Sequence, residues 1–222
     1  MTGWDKEYEL YKHQYQELFD DCMKKEQETN IEFLEKNISK KTGRKVVACS
    51  NGTDALYFSL LSLGIGKGDE VMTTAFSWIS TASVISMTGA TPVFCDIDIN
   101  TYHMSFESIT RMYSDKVKAI IYPHLFGNMS DISKIKLFCK DKNIKLIEDA
   151  CQSVGASFHG IQAGTLGDIS TYSFNANKVV AGISGGGAIL TNGDTDIFKK
   201  LRKHAEHEIL GYNSKMLLFN AK

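Results

Sequence analysis

The sequence lacks an excess of charge of either sign. Its 222 residues include 25 lysines and arginines and 26 aspartates and glutamates, which gives a formal net charge of −1. A basic surface is therefore not expected, and the chain is not predicted to bind nucleic acid or an anionic membrane. Apolar residues make up 43% of the sequence, which is typical of a globular protein and excludes a disordered or collagen-like chain.

Long apolar runs and paired cysteines are missing as well. The longest apolar stretches, such as residues 118–125, are too short to cross a bilayer, and the first residues form no apolar leader segment. The five cysteines are odd in number, and no two of them have the spacing of a metal or redox motif. We expect buried thiols in a reducing compartment, no metal site and a cytoplasmic location.

The N-terminal part of the chain differs in pattern from the rest. Apolar residues recur at helical spacing between residues 4 and 40, with a polar break at 27–30. Residues 1–43 are therefore predicted to form a helical segment that packs on the domain or on a partner chain. From residue 44 onwards strand and helix patterns alternate, and residues 44–222 are predicted to form one large domain.

The alternating part has the pattern of an α/β protein. Strands are predicted at 45–50, 70–75, 91–96, 118–123, 145–149, 168–174 and 187–191, and helices at 53–63, 77–87, 105–113, 131–142 and 195–204. Short continuous apolar runs are typical of strands that are buried on both faces. The pattern predicts a mainly parallel sheet with helices on both faces, which would bind its ligand at the carboxyl ends of the strands.

Two predicted strand ends carry residues suited to a charged ligand. Gly52 and Thr53 lie between a strand and a helix, where a glycine permits close approach and a helix N-terminus favours a phosphate. A polar helix cap is the alternative interpretation. Asp149 follows an apolar strand, and a buried carboxylate needs a cation such as the protonated ring nitrogen of a pyridine cofactor. A helix-capping aspartate is the alternative there.

Two further residues follow predicted strands. Lys178 lies in a loop rich in serine, asparagine and glycine, where partial burial would make its amine nucleophilic enough to form a Schiff base. A solvated loop lysine is the alternative. Trp78 could stack on a flat ring, or it could pack in the core. Along the chain these residues give a phosphate turn, an aromatic, a carboxylate and a lysine.

In this order the motifs resemble the DegT/DnrJ/EryC1/StrS family of pyridoxal-phosphate-dependent sugar aminotransferases. The resemblance runs from about Phe33 to the last residues. It rests on SNGTDAL (50–56), GKGDEVMTTAFSWISTA (66–82), GATPVFCDID (89–98), HLFGN (124–128), IEDACQSVGA (147–156), GTLGDISTYSFNANK (164–178), GGGAILTN (185–192) and GYNSKM (211–216). The resemblance implies the large domain of a fold type I transferase with pyridoxal 5'-phosphate as its cofactor.

The resemblance also implies a role for individual residues. Lys178 is expected to bind the cofactor covalently and to move the substrate proton, and Asp149 to keep the pyridine nitrogen protonated. Gln152 is expected near the phenolic oxygen of the cofactor and Trp78 against its ring. The phosphate is expected to contact Gly52, Thr53, Ser173 and, from the other subunit of a homodimer, Asn213.

The reaction implied by the resemblance transfers an amino group from glutamate to a nucleotide-linked keto-sugar, for amino-sugar or surface polysaccharide synthesis. His124 is expected near this site, either in contact with substrate or as a hydrogen-bonded structural residue. A related sugar dehydratase is a less favoured alternative, because such enzymes carry a histidine where this chain has Lys178.

Two departures from the family pattern lead to a further alternative. Gly185 stands where relatives usually carry an acidic residue, and a looser loop is expected there. Relatives continue past GYNSKM into a C-terminal small domain, so a chain of 222 residues is expected to lack that domain. A truncated, non-catalytic remnant, or a partner subunit of a full-length relative, is therefore the alternative to an active aminotransferase.

Overall fold

The computed structural model describes residues 27–182 and 185–202, together with residues 6, 9–14, 16, 17 and 20. Seven strands form the main sheet in the described part, and a short hairpin lies beside it. The main strands are β1 Lys45–Cys49, β2 Glu70–Thr73, β3 Thr91–Phe94, β4 Val117–Pro123, β5 Lys145–Asp149, β8 Ile169–Ser173 and β9 Gly187–Thr191, and the hairpin strands are β6 Ser157–Phe158 and β7 Ile161–Gln162. The helices are α1 Gln27–Thr42, α2 Gly52–Ser62, α3 Ile79–Met87, α4 Phe106–Met112, α5 Ser133–Asp141 and α6 Asp196–Arg202, with a 3-10 turn at Leu125–Gly127.

The main sheet has the strand order β1-β9-β8-β5-β4-β2-β3. Strands β8, β5, β4, β2 and β3 are parallel to their neighbours within this run, whereas β9 is antiparallel to both β1 and β8. The prediction of a mainly parallel α/β sheet is therefore confirmed. The antiparallel direction of β9 brings its first residue, Gly187, beside the last residues of β1 and β8, Cys49 and Ser173.

Helices cover both faces of this sheet, as predicted. Successive residues of a strand point to opposite faces, so Ile120 of β4 packs towards α4 and α5, while its neighbour Ile121 packs towards α2 and α3. The β1 end follows the same alternation, with Val46 facing α1 and Val47 facing α2 and α6. Because both faces are covered, most strand residues are buried and many are apolar, although β8 also buries Ser170 and Thr171.

Several boundaries differ from the sequence prediction. Residues 27–30 form the first turn of helix α1, so the polar stretch there interrupts the apolar pattern and not the helix. Ile31, Leu34 and Ile38 of this helix pack on the sheet, but Phe33 is 61% exposed. Helix α3 begins at Ile79 rather than at residue 77, because Trp78 has an extended backbone and is the N-cap. In the part of the chain that the structure describes, no helix combines the length and hydropathy needed to span a bilayer.

Candidate active site

The predicted residues meet in one cavity at the carboxyl ends of the parallel strands. The cavity has a volume of about 110 Å³ and is lined by the loops that follow β1, β2, β4, β5 and β8. Seven of the eight predicted site residues line it, namely Gly52, Thr53, Trp78, Asp149, Gln152, Ser173 and Lys178. The eighth, Asn213, lies outside the described residues.

The N-terminus of helix α2 forms one wall of the cavity. Asn51 is the N-cap residue, since its side-chain oxygen accepts from the N–H of Asp54 at 2.8 Å and its carbonyl accepts from the N–H of Ala55 at 3.2 Å. Gly52 and Thr53 are the first two residues of α2, so their N–H groups have no acceptor within the helix. The cap predicted as the alternative is therefore present, and the same helix N-terminus lines the cavity, where its dipole favours an anion.

Gly52 allows this helix end to pack closely against neighbouring loops. A Cβ atom at this position would lie 2.8 Å from Cβ of Ser173 and 2.9 Å from Sγ of Cys151. Gly187 has a similar effect, because a Cβ there would lie 2.9 Å from the backbone nitrogen of Gly52. The helix N-terminus and the Ser173 hydroxyl consequently face the same end of the cavity.

Asp149 is the last residue of β5 and is 6% exposed. Its Oδ2 accepts from the hydroxyl of Thr81 at 2.8 Å, and its Oδ1 accepts from the N–H of Cys151 at 3.2 Å. Within the described ranges, no lysine, arginine or histidine forms an ion pair with this carboxylate. A buried carboxylate that lacks a protein cation and lines a cavity is suited to a cationic ligand group.

The charges of Lys178 and Asp149 both shift the pKa of the Cys151 thiol, which lines the cavity. Burial raises the pKa of Cys151 well above its usual range, the charge of Asp149 raises it further, and the charge of Lys178 lowers it. Lys178 is half-buried in the loop after β8, where its backbone N–H donates to the carbonyl of Asn175 at 2.9 Å. The structure thus places the amine and the carboxylate around one small space.

Trp78 and Gln152 lie at the rim. Trp78 is 63% exposed, so it does not pack in the core, and its ring is available to a ligand. The side-chain oxygen of Gln152 accepts from the N–H of Phe126 at 3.2 Å. This contact positions the side-chain amide of Gln152, which lines the cavity.

His124 is fully buried, and its Nε2 atom lies 3.1 Å from Oε1 of Glu148. Burial by itself would raise the pKa of Glu148, but its contact with His124 and the N–H groups of Gly164 and Leu166 hold that pKa below its usual value. Glu148 also accepts from the Ser170 hydroxyl at 2.9 Å. His124 also lines the cavity, so its position is compatible with both a structural role and a contact with substrate.

Sequence reasoning missed Ser77, Thr81 and Glu148. Thr81 donates to Asp149, and its hydroxyl lies 2.9 Å from that of Ser77. Ser77 and Thr81 are four residues apart at the start of a helix that follows a strand, so their position offered a weak signal. Glu148 adjoins Asp149 in the sequence and points to the opposite face of the sheet.

The loop around Gly185 fits a glycine. Its backbone φ angle is +88°, in the region that residues with a Cβ rarely adopt, and its N–H donates to the carbonyl of Gly182 at 3.2 Å. An acidic residue at this position would be strained in the observed conformation.

A larger cleft lies at the opposite, amino-terminal edge of the strands. It has a volume of about 910 Å³ and is lined by charged residues such as Arg44, Lys136 and Asp168. The Arg44 guanidinium donates to the carbonyls of Thr165 and Gly167, so it holds the loop before β8. None of the predicted site residues lines this cleft.

The chain is similar to members of one protein family over most of its length. The sequence profile of the DegT/DnrJ/EryC1/StrS aminotransferase family matches residues 11–222. The pleiotropic regulatory protein of Geobacillus stearothermophilus is 35% identical over 227 residues, which cover 97% of this chain and 61% of that protein. GDP-perosamine synthase of Escherichia coli O157:H7 is 38% identical over 177 residues, which cover 75% of this chain and 48% of that protein. The chain therefore spans only part of the length of these relatives.

Solved structures of aminotransferases superpose on most of this chain. A DegT DnrJ EryC1 StrS aminotransferase from Brucella abortus superposes with a TM-score of 0.87 at 27% identity, over 97% of this chain and 63% of that chain. NtdA from Bacillus subtilis, solved with the cofactor PMP bound, superposes with a TM-score of 0.77 at 32% identity, over 86% of this chain and 46% of that chain. These neighbours have the fold type I aminotransferase architecture, which confirms the predicted fold class.

Proposed function

The chain belongs to the DegT/DnrJ/EryC1/StrS aminotransferase family, and we propose that its cavity is the pyridoxal-phosphate site of a sugar aminotransferase. The family depends on this cofactor. One observation carries the proposal, which is the buried, hydrogen-bonded carboxylate of Asp149 facing a cavity that Lys178 and the N-terminus of α2 also line. Asp149, Lys178 and the N-terminus of α2 match the pyridine nitrogen, the aldehyde and the phosphate of the cofactor, respectively.

The residues of the cavity fit the cofactor chemically. The N–H groups of Gly52 and Thr53, with the Ser173 hydroxyl, would bind the phosphate. Asp149 would pair with the protonated pyridine nitrogen, which would give this carboxylate its missing cation. The cofactor, when bound, supplies an electron sink for the charge left on the substrate carbon.

In this proposal two side chains act directly in the reaction. Lys178 would hold the cofactor through Nζ, and the same amine would accept the substrate proton and return it. Asp149 would hold the protonated ring nitrogen. Gln152 would donate an amide N–H to the phenolic oxygen, and Trp78 would cover one face of the ring and exclude water from it.

The proposed substrates are glutamate as amino donor and a nucleotide-linked keto-sugar as acceptor. Support for the sugar comes from relatives whose names refer to nucleotide-linked sugars, including a UDP-2-acetamido-2-deoxy-3-oxo-D-glucuronate aminotransferase of Pseudomonas aeruginosa. The presence of Lys178 argues against the dehydratase alternative. The alternative of a non-catalytic remnant or partner subunit predicts that the chain does not exchange an amino group by itself.

A homodimer with a shared active site is also part of the proposal. Large apolar side chains are exposed around the cavity mouth, including Trp78 at 63%, Ile79 at 71%, Phe126 at 78% and Val179 at 81%. An apolar rim of this kind is suited to a protein partner. Asn213 would then contact the phosphate in the other subunit.

The proposal includes two expectations about context. The described cysteines, Cys49, Cys95, Cys139 and Cys151, are unpaired, which supports a reducing, cytoplasmic location. We also propose that residues 44–222 form the cofactor domain and that the helical segment 1–43 packs on it. The small domain of longer relatives is proposed to supply the remaining substrate contacts.

A covalent labelling experiment tests this function. The purified chain is incubated with pyridoxal phosphate, reduced with borohydride, digested and examined by mass spectrometry. We expect the label on Lys178, a visible absorption band before reduction, and bleaching of that band by glutamate. Lys178→Ala should abolish the label, and Lys199→Ala, which changes an exposed lysine of α6, should leave it intact. A label on another lysine, or no label at all, would refute the proposal.

A further inference from the structure

We propose that Thr81, held in turn by Ser77, is a positioning residue for Asp149 and controls how tightly the ring nitrogen of the cofactor is held. This inference rests on the proposed function, since it concerns the same cavity. It is carried by two short contacts, 2.8 Å from Thr81 Oγ1 to Asp149 Oδ2 and 2.9 Å from Ser77 Oγ to Thr81 Oγ1.

The direction of these hydrogen bonds follows from counting protons. An ionised carboxylate can only accept, so Thr81 must donate its single hydroxyl proton to Asp149. With that proton used, the Thr81 oxygen can only accept from Ser77, and Ser77 is the donor. The three side chains therefore form a chain with one polarity, in which each bond strengthens the next.

The backbone holds this chain of hydrogen bonds rigidly. Thr81 is 1% exposed, and its N–H donates to the carbonyl of Trp78 at 3.0 Å in the first turn of α3. Ser77 lies four residues earlier, close enough for its hydroxyl to reach that of Thr81. Asp149 is fixed at the end of β5, and its second oxygen accepts from the N–H of Cys151. Rotation of the carboxylate plane would therefore break at least one of these two hydrogen bonds.

The arrangement leaves part of the carboxylate free for the ligand. Each oxygen of a carboxylate can accept two hydrogen bonds, and the protein uses one on each. Loss of the Thr81 hydroxyl would leave Oδ2 without this donor, and the carboxylate would be free to rotate away from the cavity. That rotation would weaken its hold on a protonated pyridine nitrogen.

The test compares four variants of the full chain. Thr81→Val removes the hydroxyl and keeps the side-chain shape, while Thr81→Ser keeps the hydroxyl. Ser77→Ala removes the donor to Thr81. Thr110→Val is the matched control, because Thr110 is exposed on α4 and its hydroxyl contacts only the carbonyl of Glu107 within the described residues. The readouts are the dissociation constant of pyridoxal phosphate and the 15N chemical shift of its labelled ring nitrogen in the bound state.

We expect Thr81→Val to weaken cofactor binding about 10- to 100-fold, the size of one lost hydrogen bond to a charged group. In this variant the 15N chemical shift of the cofactor's ring nitrogen should move towards the value of the unprotonated ring. Thr81→Ser should restore both values to within about threefold of the wild type. Ser77→Ala should change both values in the same direction by a smaller amount, and Thr110→Val should change neither.

Three results would overturn the inference. Thr81→Val could match the wild type in affinity and nitrogen shift, or Thr81→Ser could be as defective as Thr81→Val, which would indicate packing alone. If Thr81→Val does not fold, Ser77→Ala decides, and wild-type values for it would reject the hydrogen-bonded chain. A wild-type chain that binds no cofactor would instead refute the proposed function together with this inference.

Discussion

Replacing Gly52 by alanine is expected to destabilise the protein and to close the phosphate end of the cavity. The added Cβ would lie 2.8 Å from Cβ of Ser173 and 2.9 Å from Sγ of Cys151, closer than carbon and sulfur atoms normally approach. Ser173 ends a buried strand, and Cys151 is packed against Thr171, so neither can move away freely. Overpacking of this kind costs about 1 to 3 kcal/mol.

The smaller conformational entropy of the unfolded chain partly offsets this steric cost. Alanine restricts the unfolded chain more than glycine does, which stabilises the folded state by about 0.4 to 1 kcal/mol where the backbone can accept it. The steric cost exceeds that gain, so we expect a net loss of about 1 to 2 kcal/mol in the free energy of unfolding. In a chain of this size that corresponds to a fall in Tm of about 2 to 8 °C.

The chain offers a matched control for this substitution. A Cβ on Gly66 would meet only the carbonyl oxygen of Thr88 at 3.5 Å, an ordinary contact, and the backbone there is not left-handed. Gly66→Ala should therefore leave the free energy of unfolding unchanged or raise it slightly. Adding Cys151→Ala to Gly52→Ala removes one of the two clashes and should recover part of the stability.

Urea unfolding and cofactor titration measure the two effects separately. Gly52→Ala should lower both the unfolding midpoint and the affinity for pyridoxal phosphate, and inorganic phosphate should protect it less than the wild type. If Gly52→Ala matched Gly66→Ala in both measurements, the close approach of α2 to the β5 and β8 loops would not be required, and our reasoning about the phosphate end would be wrong.

Three other substitutions test separate parts of the structure. Asp149→Asn should keep the fold but weaken cofactor binding by about 1.5 to 3 kcal/mol, because it removes a charge-assisted hydrogen bond. Cofactor titration measures this change, and an affinity equal to that of the wild type would contradict the pairing with the ring nitrogen. The folded-state pKa of Glu148 lies below its ordinary value of 4.5, so its contribution to stability is full above that value and is lost as pH falls through the lower pKa. Urea unfolding at several acidic pH values should show less acid sensitivity in Glu148→Gln than in the wild type, and an identical pH dependence would reject the assignment. Glu35 accepts from the N–H of Ala48 at 2.8 Å and contacts Arg202 at 2.6 Å. Glu35→Ala should therefore lower the free energy of unfolding by about 1 to 3 kcal/mol in thermal unfolding, whereas Glu32→Ala, at an exposed position of the same helix, should lower it by under about 0.5 kcal/mol. Equal effects would mean that the Glu35 contacts do not fix α1 to β1.

The order of strands and helices followed from local pattern. Apolar runs such as residues 119–122 are short, so their burial in a two-sided sheet could be predicted without any tertiary information. The same pattern placed Asp149 at the end of a strand and Lys178 after one, and the motif order pointed to the family. The polar residues at 27–30 interrupt the apolar pattern but not helix α1, because polar residues are tolerated in a helix when other positions pack, as Leu34 and Ile38 do.

Local sequence determined which residues stand at strand ends, because alternation and apolar runs are properties of neighbouring positions. Tertiary structure alone decided which of those ends meet. Thr81 and Asp149 are 68 positions apart, and their hydrogen bond exists only because β2 and β5 run in the same direction in one sheet, on either side of β4. The antiparallel direction of β9 and the exposure of Trp78 were decided in the same way, since both depend on contacts between distant segments that no local pattern encodes.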